Sequence, residues 1–159
     1  MFTRMLVSPL RGDAPHSEVL TDLMRAFFAA GHDEKVLLGV GIWLPTGPED
    51  YAVPDLSLVS ADIDSHLVEN NCYAPACFRL VLEVTSDNWR TDLHTKVGAY
   101  AAAGVPVYVV VDREHERLHV FTEPAGDTYA SHHVHAPGET AVLGADVTVD
   151  VSAVLEAGR

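Results

Sequence analysis

The chain has 159 residues, 48% of them hydrophobic, so it is long enough for one well-filled core and too short for two ordinary domains. We therefore expect a single domain over residues 1–159. Its formal net charge is -13 at pH 7. Such an excess of acids disfavours binding to a polyanion, because nucleic-acid binding normally requires clustered lysine and arginine.

The sequence contains no apolar segment of membrane-spanning length. Its longest apolar runs, such as residues 105–111, are far shorter than the roughly 18 residues needed to cross a bilayer. The opening stretch "MFTRMLVSPLRGDAPHSE" has no apolar core of signal-peptide length and includes Arg4, Arg11 and Asp13. We therefore expect a cytoplasmic protein that does not span a membrane.

The first elements are a helix and a strand. Apolar residues recur at helical spacing between Ser17, a possible N-cap, and Gly31, which would end the helix. The segment "KVLLGVGIWLP" then predicts one strand bounded by turn residues. Gly39 and Gly41 form a lone GxG, but strand and turn follow it instead of a helix, which argues against a phosphate-binding loop.

Two further strands each carry a carboxylate. In "YAVPDLSLVSAD", entered at Pro54, alternation places Asp55 on one face with Val53, Ser57 and Val59. Residues 62–75 are polar and are predicted as a loop with a possible short helix. In "CFRLVLEVTS", one face is expected to carry Phe78, Leu80, Leu82 and Val84, and the other Arg79, Val81, Glu83 and Thr85.

A second helix and a buried strand follow. The helix is predicted over residues 90–103, capped by Asp87 or Thr91 and ended by Gly104. The strand "VPVYVVVD" is apolar on both faces, as a central strand should be. A strand, helix, strand order of this length predicts a right-handed crossover between parallel strands. Short strands separated by turns, such as "ERLHVFTE" and "VTVDV", then predict a β-rich C-terminal extension.

Cysteines and histidines offer weaker signals. Cys72 and Cys77 are not spaced as CxxC and have no second pair, so they are interpreted as two thiols that form neither a disulfide nor a metal site. The cluster His132, His133 and His135 could hold zinc, since the second and third of these share a strand face. No nearby cysteine completes a tetrahedral set, so zinc is only the alternative interpretation.

The carboxylates carry the stronger chemical signal. If their strands pair, Asp55 and Glu83 converge on one face, where two acids repel each other unless a cation or proton lies between them. Mg²⁺ takes oxygen ligands, so these acids and the backbone carbonyl of Val84 would form a partial shell. Lys96 could reach the same point from its helix and orient a water. The alternative is a surface ion pair of Lys96 with Asp92, four residues earlier, with Glu83 only ending a strand.

These segments together resemble a known family. The stretches "VPD", "LVLEVTS" and "DLHTKVGAYAAAGVPVYVVVD" resemble the Uma-two type restriction endonucleases, a branch of the PD-(D/E)xK nuclease superfamily, and the resemblance extends from about residue 16 to "VTVDVSAVL". It implies a mixed α/β fold with a restriction-endonuclease-like αβββαβ core. It also implies that Asp55 and Glu83 are the metal-binding and catalytic acids.

The resemblance also assigns the lysine. The common superfamily motif has a lysine two residues after the second acid, where this chain has Thr85. The branch that the chain resembles places the lysine on the following helix, which matches Lys96. Glu18 is a weaker match to an acid that some members add to the metal shell, with a solvated helix position as the alternative.

Two functions therefore remain open at this point. The first is an endonuclease that depends on Mg²⁺ or Mn²⁺ and hydrolyses phosphodiester bonds in DNA. The second, favoured by the acidic charge, is an inactive or repurposed nuclease fold that acts in protein assembly or regulation, or on a small molecule. By analogy with nucleases that cut both strands, a homodimer could bring Arg79 or Arg90 of two chains into one cleft.

Overall fold

The structure is a computed structural model that describes residues 13–31, 34–45, 50–85, 90–144 and 146–159, and only the backbone of Asp92. In these ranges the helices are α1 Ala14–Ala29, α2 Lys96–Ala102 and α3 Val151–Ala157. The strands are β1 Lys35–Leu38, β2 Gly41–Trp43, β3 Tyr51–Ala52, β4 Leu56–Val59, β5 Leu67–Glu69, β6 Cys72–Tyr73, β7 Phe78–Val84, β8 Val107–Asp112, β9 Arg117–Ala125, β10 Thr128–His135, β11 Thr140–Val142 and β12 Thr148–Asp150. None of the described helices has the length and apolar character needed to cross a bilayer.

A six-stranded mixed sheet forms the centre of the fold, with strand order β1-β4-β7-β8-β9-β10. β4 is antiparallel to β7, whereas β7 and β8 are parallel and are joined through α2. The predicted parallel crossover is therefore confirmed. A four-stranded sheet of β3, β2, β6 and β5 and the hairpin β11–β12 complete the strands of the described ranges.

Each face of the central sheet has its own apolar core. One face packs against α1, α3 and the β11–β12 hairpin, through residues such as Leu23, Leu82 and Val154. The other face packs against α2, through residues such as Tyr100 and Tyr108. β8 is covered on both sides, which explains why its sequence is apolar on both faces.

Helix α1 begins earlier than the sequence predicts. The Asp13 carboxylate accepts the backbone N–H of His16 at 2.9 Å and caps the helix, so the prediction of Ser17 as N-cap is wrong. Arg113 donates two further hydrogen bonds to Asp13, and its guanidinium lowers the pKa of that carboxyl. The predicted end of the helix agrees with Gly31, which adopts a φ of 69°.

Several predicted elements are divided in the structure. The first predicted strand is two strands, because the chain turns at Gly39 with a φ of 63°. The second is also two, since Pro54 has no N–H to donate and β3 and β4 belong to different sheets. The predicted loop 62–75 contains β5, β6 and a short 3-10 turn over Ile63–His66, and a second 3-10 turn begins at its last residue. The last predicted strand stops at Asp150, whose carboxylate caps α3.

The helix before β8 also differs in detail. A π-helical turn over Thr91–Thr95 precedes α2. Arg90, the residue before this turn, makes no side-chain capping hydrogen bond, and Thr91 lies inside the turn. The predicted cap at Thr91 is therefore wrong, and Asp87 lies outside the described residues. Gly104 ends the helix as predicted, with a φ of 75°. A π-turn shifts the helix face that follows it, which here sets the direction of Lys96.

Candidate active site

The two carboxylates meet where β4 begins and β7 ends. The antiparallel register pairs Leu56 with Leu82, so the next pair outward is Asp55 and Glu83. The Asp55 backbone N–H donates to Glu83 Oε1 at 3.3 Å, and the Val84 N–H donates to Asp55 Oδ2 at 2.8 Å. The antiparallel pairing thus brings both acids to one point and ties each of them to the strand that carries the other.

Lys96 lies at the same point and is completely buried. Its ammonium is 2.8 Å from Glu83 Oε2, and the same oxygen accepts the Tyr100 hydroxyl at 3.1 Å. Glu83 and Lys96 are both 0% exposed. The interpretation of Lys96 as a solvated surface residue is therefore wrong, and the side chain of Asp92, its suggested partner, lies outside the described residues.

Burial makes this ion pair energetically demanding. Removing two charges from water costs several kcal/mol per ion, which close approach and further hydrogen bonds must offset. Glu83 meets this demand with partners on both carboxylate oxygens, including Asp55, Lys96 and Tyr100. The lysine therefore explains how a carboxylate can interrupt the apolar strand β7: the charge is compensated inside the core.

His16 is a site residue that sequence reasoning missed. Its Nε2 lies 3.2 Å from Asp55 Oδ2, and its side chain is 11% exposed. The hydrogen bond to Asp55 raises the pKa of His16, against the opposing effect of burial. The signal was a polar residue in register with the buried positions Val19, Leu23 and Phe27 of α1.

Other predicted site residues are exposed on the surface. Glu18 is exposed on α1, in keeping with a solvated helix position. Arg79 and Arg90 are exposed as well. Arg79 lies four residues before Glu83 on β7, which corresponds to roughly 13 Å along a strand. It is therefore not part of the acid site within one chain, and a homodimer that brings it there stays a prediction.

The cysteines and the histidine cluster do not form three-ligand metal sites. Cys72 and Cys77 are buried free thiols, and burial raises the pKa of both. His133 and His135 do share a strand face, with ring centroids 6.4 Å apart, but His132 points to the other face and meets His119. Across the described ranges, no three histidine, cysteine, aspartate or glutamate side chains form a group that could hold a metal.

Asp55 and Glu83 nevertheless suit a hard divalent cation. They offer carboxylate oxygens from neighbouring strands, the donor type that Mg²⁺ and Mn²⁺ prefer. The bonds from His16, the Val84 amide and Lys96 fix the orientation of both carboxylates, as hydrogen bonds to metal ligands commonly do. Since only two side chains are supplied, water and backbone would complete the shell, with the Val84 carbonyl as the predicted backbone ligand.

The largely buried His119 should make stability depend on pH. Burial lowers the pKa of His119 from 6.5 to about 4, with the neighbouring His132 acting in the same direction. Below pH 6.5 the unfolded chain binds a proton that the folded chain refuses, so stability falls as the pH drops from 6.5 to 4, by about 3 kcal/mol in total. Urea unfolding at pH 7.5, 5.5 and 4.5 should show a flatter profile for His119→Gln than for the wild type. Parallel profiles would contradict the prediction.

Comparison with known proteins identifies a family and a similar fold. A family model described as "Uma2: Putative restriction endonuclease" matches residues 4–155. Among solved structures, the chain is similar to a putative nuclease belonging to DUF820 from Anabaena variabilis ATCC 29413, with a TM-score of 0.70 at 13% identity over 94% of this chain and 85% of that chain. No curated protein matches the sequence.

The structural likeness concerns the fold, and the family model concerns the chain as a whole. The TM-score confirms the predicted mixed α/β nuclease fold. The family match covers nearly every residue from the N-terminal segment to α3, including all the acids discussed above. The chain therefore belongs to the Uma2 family, described as putative restriction endonucleases.

Proposed function

We propose that the chain is a nuclease that uses Mg²⁺ or Mn²⁺ to hydrolyse phosphodiester bonds in DNA, with Asp55, Glu83 and Lys96 as its catalytic residues. Family membership supports a nuclease function. The observation that carries the proposal is the convergence of two carboxylates and one buried lysine at the junction of β4, β7 and α2. A fold that needed only a stable core would place apolar side chains there.

Each residue has a distinct task in this proposal. Asp55 and Glu83 hold the cation, which when bound supplies Lewis-acid activation of a phosphate and lowers the pKa of water. His16 donates to Asp55 Oδ2 and keeps that carboxylate turned toward the site. The Lys96 ammonium carries three donors, of which one points to Glu83, and its charge can orient the attacking water or offset negative charge on the phosphate.

Cleavage assays test the proposal. The wild type should cut plasmid or oligonucleotide DNA when Mg²⁺ or Mn²⁺ is added and not when EDTA is present. Asp55→Asn keeps the side-chain shape but removes a metal-binding charge, so it should abolish cleavage. The matched control is Asp64→Asn, because Asp64 is an exposed carboxylate in the turn after β4. Equal cleavage by the Asp55 and Asp64 variants would refute the assignment of the site.

The net charge of -13 is the observation that favours the alternative function. A tight DNA binder commonly makes about six to ten phosphate contacts, and this chain has 10 lysines and arginines in all. Nitrocellulose filter binding at low salt separates the two functions. Retention of DNA supports the nuclease, whereas calorimetric Mg²⁺ binding without any DNA retention supports a fold that has kept its metal site and acts on another substrate.

A further inference from the structure

A second group of titratable side chains lies on the hairpin of β9 and β10. His119 Nδ1 and His132 Nε2 are 2.8 Å apart, on the face of the sheet that also carries Glu83. Glu83, Val110 and His119 are register partners on three neighbouring strands. The spacing of strands therefore puts the histidine pair roughly 10 Å from the acid site, so the two groups are separate.

The hairpin holds the two imidazole rings in place. His119 is paired in register with Val134, and His132 with Phe121, so the two histidines are diagonal neighbours. Their rings are inclined by only 24°, with centroids 5.1 Å apart. Phe121 stacks on both rings, with its centroid 4.0 Å from that of His132 and 6.1 Å from that of His119. Two ring nitrogens thus face each other before any ligand binds.

Asp112 lies on the Nε2 side of the His119 ring. Its Oδ2 lies 4.0 Å from His119 Nε2 and 2.8 Å from His115 Nδ1, and its side chain is 2% exposed. A buried carboxylate on that side favours a proton on His119 Nε2, which leaves the Nδ1 lone pair directed at His132. The His132 Nε2–H then donates to His119 Nδ1. Burial lowers the pKa of both histidines, so both rings are neutral at pH 7.

We propose that His119 Nδ1 and His132 Nε2 bind a transition-metal ion of the Zn²⁺ type, at a site distinct from the acids. The ion takes the place of the proton between the two nitrogens, and the His132 proton moves through solvent from Nε2 to Nδ1. Asp112 lies behind His119 at 4.0 Å, so a small shift of the ring toward it would complete the hydrogen bond by which a carboxylate commonly fixes a metal-bound histidine and raises its basicity. Imidazole suits Zn²⁺, whereas the carboxylates suit Mg²⁺, so the two sites select different ions.

The geometry needs only a small adjustment. Two nitrogens at about 2.0–2.1 Å from a tetrahedral ion are roughly 3.3 Å apart, so the rings must separate by about 0.5 Å. His132 can move, because it is exposed on β10, the edge strand of the central sheet. Water or another ligand would fill the remaining coordination positions of the ion. With two protein ligands, the site should be weaker than structural zinc sites with four.

Calorimetric titration of ZnCl₂ into protein without a histidine tag, at pH 7.5, tests the proposal. The wild type should bind one Zn²⁺, and His132→Asn should weaken binding at least tenfold. The matched control is His133→Asn, since His133 is the next residue, is also exposed, and is directed to the opposite face. Asp55→Asn should bind as the wild type does, because it alters only the acid site. In NMR spectra, Co²⁺ should broaden the His119 and His132 imidazole signals first.

Three results would overturn the histidine site. These are the absence of Zn²⁺ binding by the wild type, equal affinity of the His132 and His133 variants, and loss of binding in Asp55→Asn with retention in His132→Asn. The last would place the ion on the carboxylates. Because His132 is exposed, its replacement should leave the fold intact, which circular dichroism checks. No arm of the experiment measures cleavage, so its outcome is independent of the proposed nuclease activity.

Discussion

Replacing both members of the Glu83–Lys96 ion pair should destabilise the protein less than the sum of the two single replacements. Lys96→Met leaves the Glu83 carboxylate buried without its ammonium, and Glu83→Met leaves the Lys96 ammonium buried without its carboxylate. Each single change should lower the free energy of unfolding by about 3–5 kcal/mol. The double variant replaces the pair with apolar side chains of similar length, which removes both uncompensated charges. We expect a coupling free energy of about 3 kcal/mol.

The double variant should still be less stable than the wild type. The Tyr100 hydroxyl and the Asp55 N–H lose the acceptor that Glu83 supplies, and the loss of a hydrogen bond from a buried donor costs about 1–3 kcal/mol. Urea unfolding at pH 7.5 measures all four proteins of the cycle. Lys35→Met is the matched control, because Lys35 is the other lysine of the chain and is exposed, so its replacement should cost at most about 0.5 kcal/mol. Strictly additive single effects would contradict the expected coupling.

The candidate site was predictable to the extent that it depends on strand alternation. Glu83 is a carboxylate inside an apolar strand, and Asp55 alternates with buried positions, so their convergence followed once the strands were assumed to pair. Lys96 was assigned more by the family resemblance than by its pattern, since a lysine four residues after an aspartate is typical of a surface pair. Its burial depends on how the helix is rotated, and the π-turn before α2 sets that rotation.

His16 and Tyr100 were missed for a different reason. Tyr100 fits the apolar stripe of its helix, and a hydroxyl that completes a buried hydrogen bond looks the same in sequence as one that only fills space. His16 contacts Asp55 across 39 positions of sequence, and no local pattern encodes such a contact. Both contacts depend on how α1 and α2 pack against opposite faces of the central sheet.

The fold shows the same division between local and long-range information. The parallel crossover from β7 to β8 follows from length and apolar pattern, and it is present. The division of the first two predicted strands depends on which sheet each half joins, which β-propensity cannot report. The helix α3 was not predicted because "VTVDVSAVL" begins with the alternation of a strand. The strand ends at Asp150, whose side chain caps the helix that follows.

Lys96→Met should also separate the two tasks of this lysine, compensation of a buried charge and catalysis. Without the ammonium, no positive side chain competes with the metal ion for Glu83. Mg²⁺ or Mn²⁺ should therefore bind to the variant as tightly as to the wild type, or more tightly. Hydrolysis of DNA should nevertheless fall by about two orders of magnitude, the scale expected when one transition-state contact is lost. Calorimetry measures the first effect and single-turnover cleavage the second.

The stability loss in Lys96→Met must be kept apart from its catalytic effect. Assays at low temperature, with the folded fraction measured by circular dichroism, restrict the comparison to folded protein. A bound divalent ion should itself restore part of the lost stability, because it binds the folded state and replaces the missing positive charge beside Glu83. If folded Lys96→Met, saturated with Mn²⁺, cleaved DNA at the rate of the Lys35→Met control, Lys96 would be a structural counter-ion to Glu83 without a catalytic role. A slow but metal-saturated variant would instead place the ammonium at the reacting phosphate or at the attacking water.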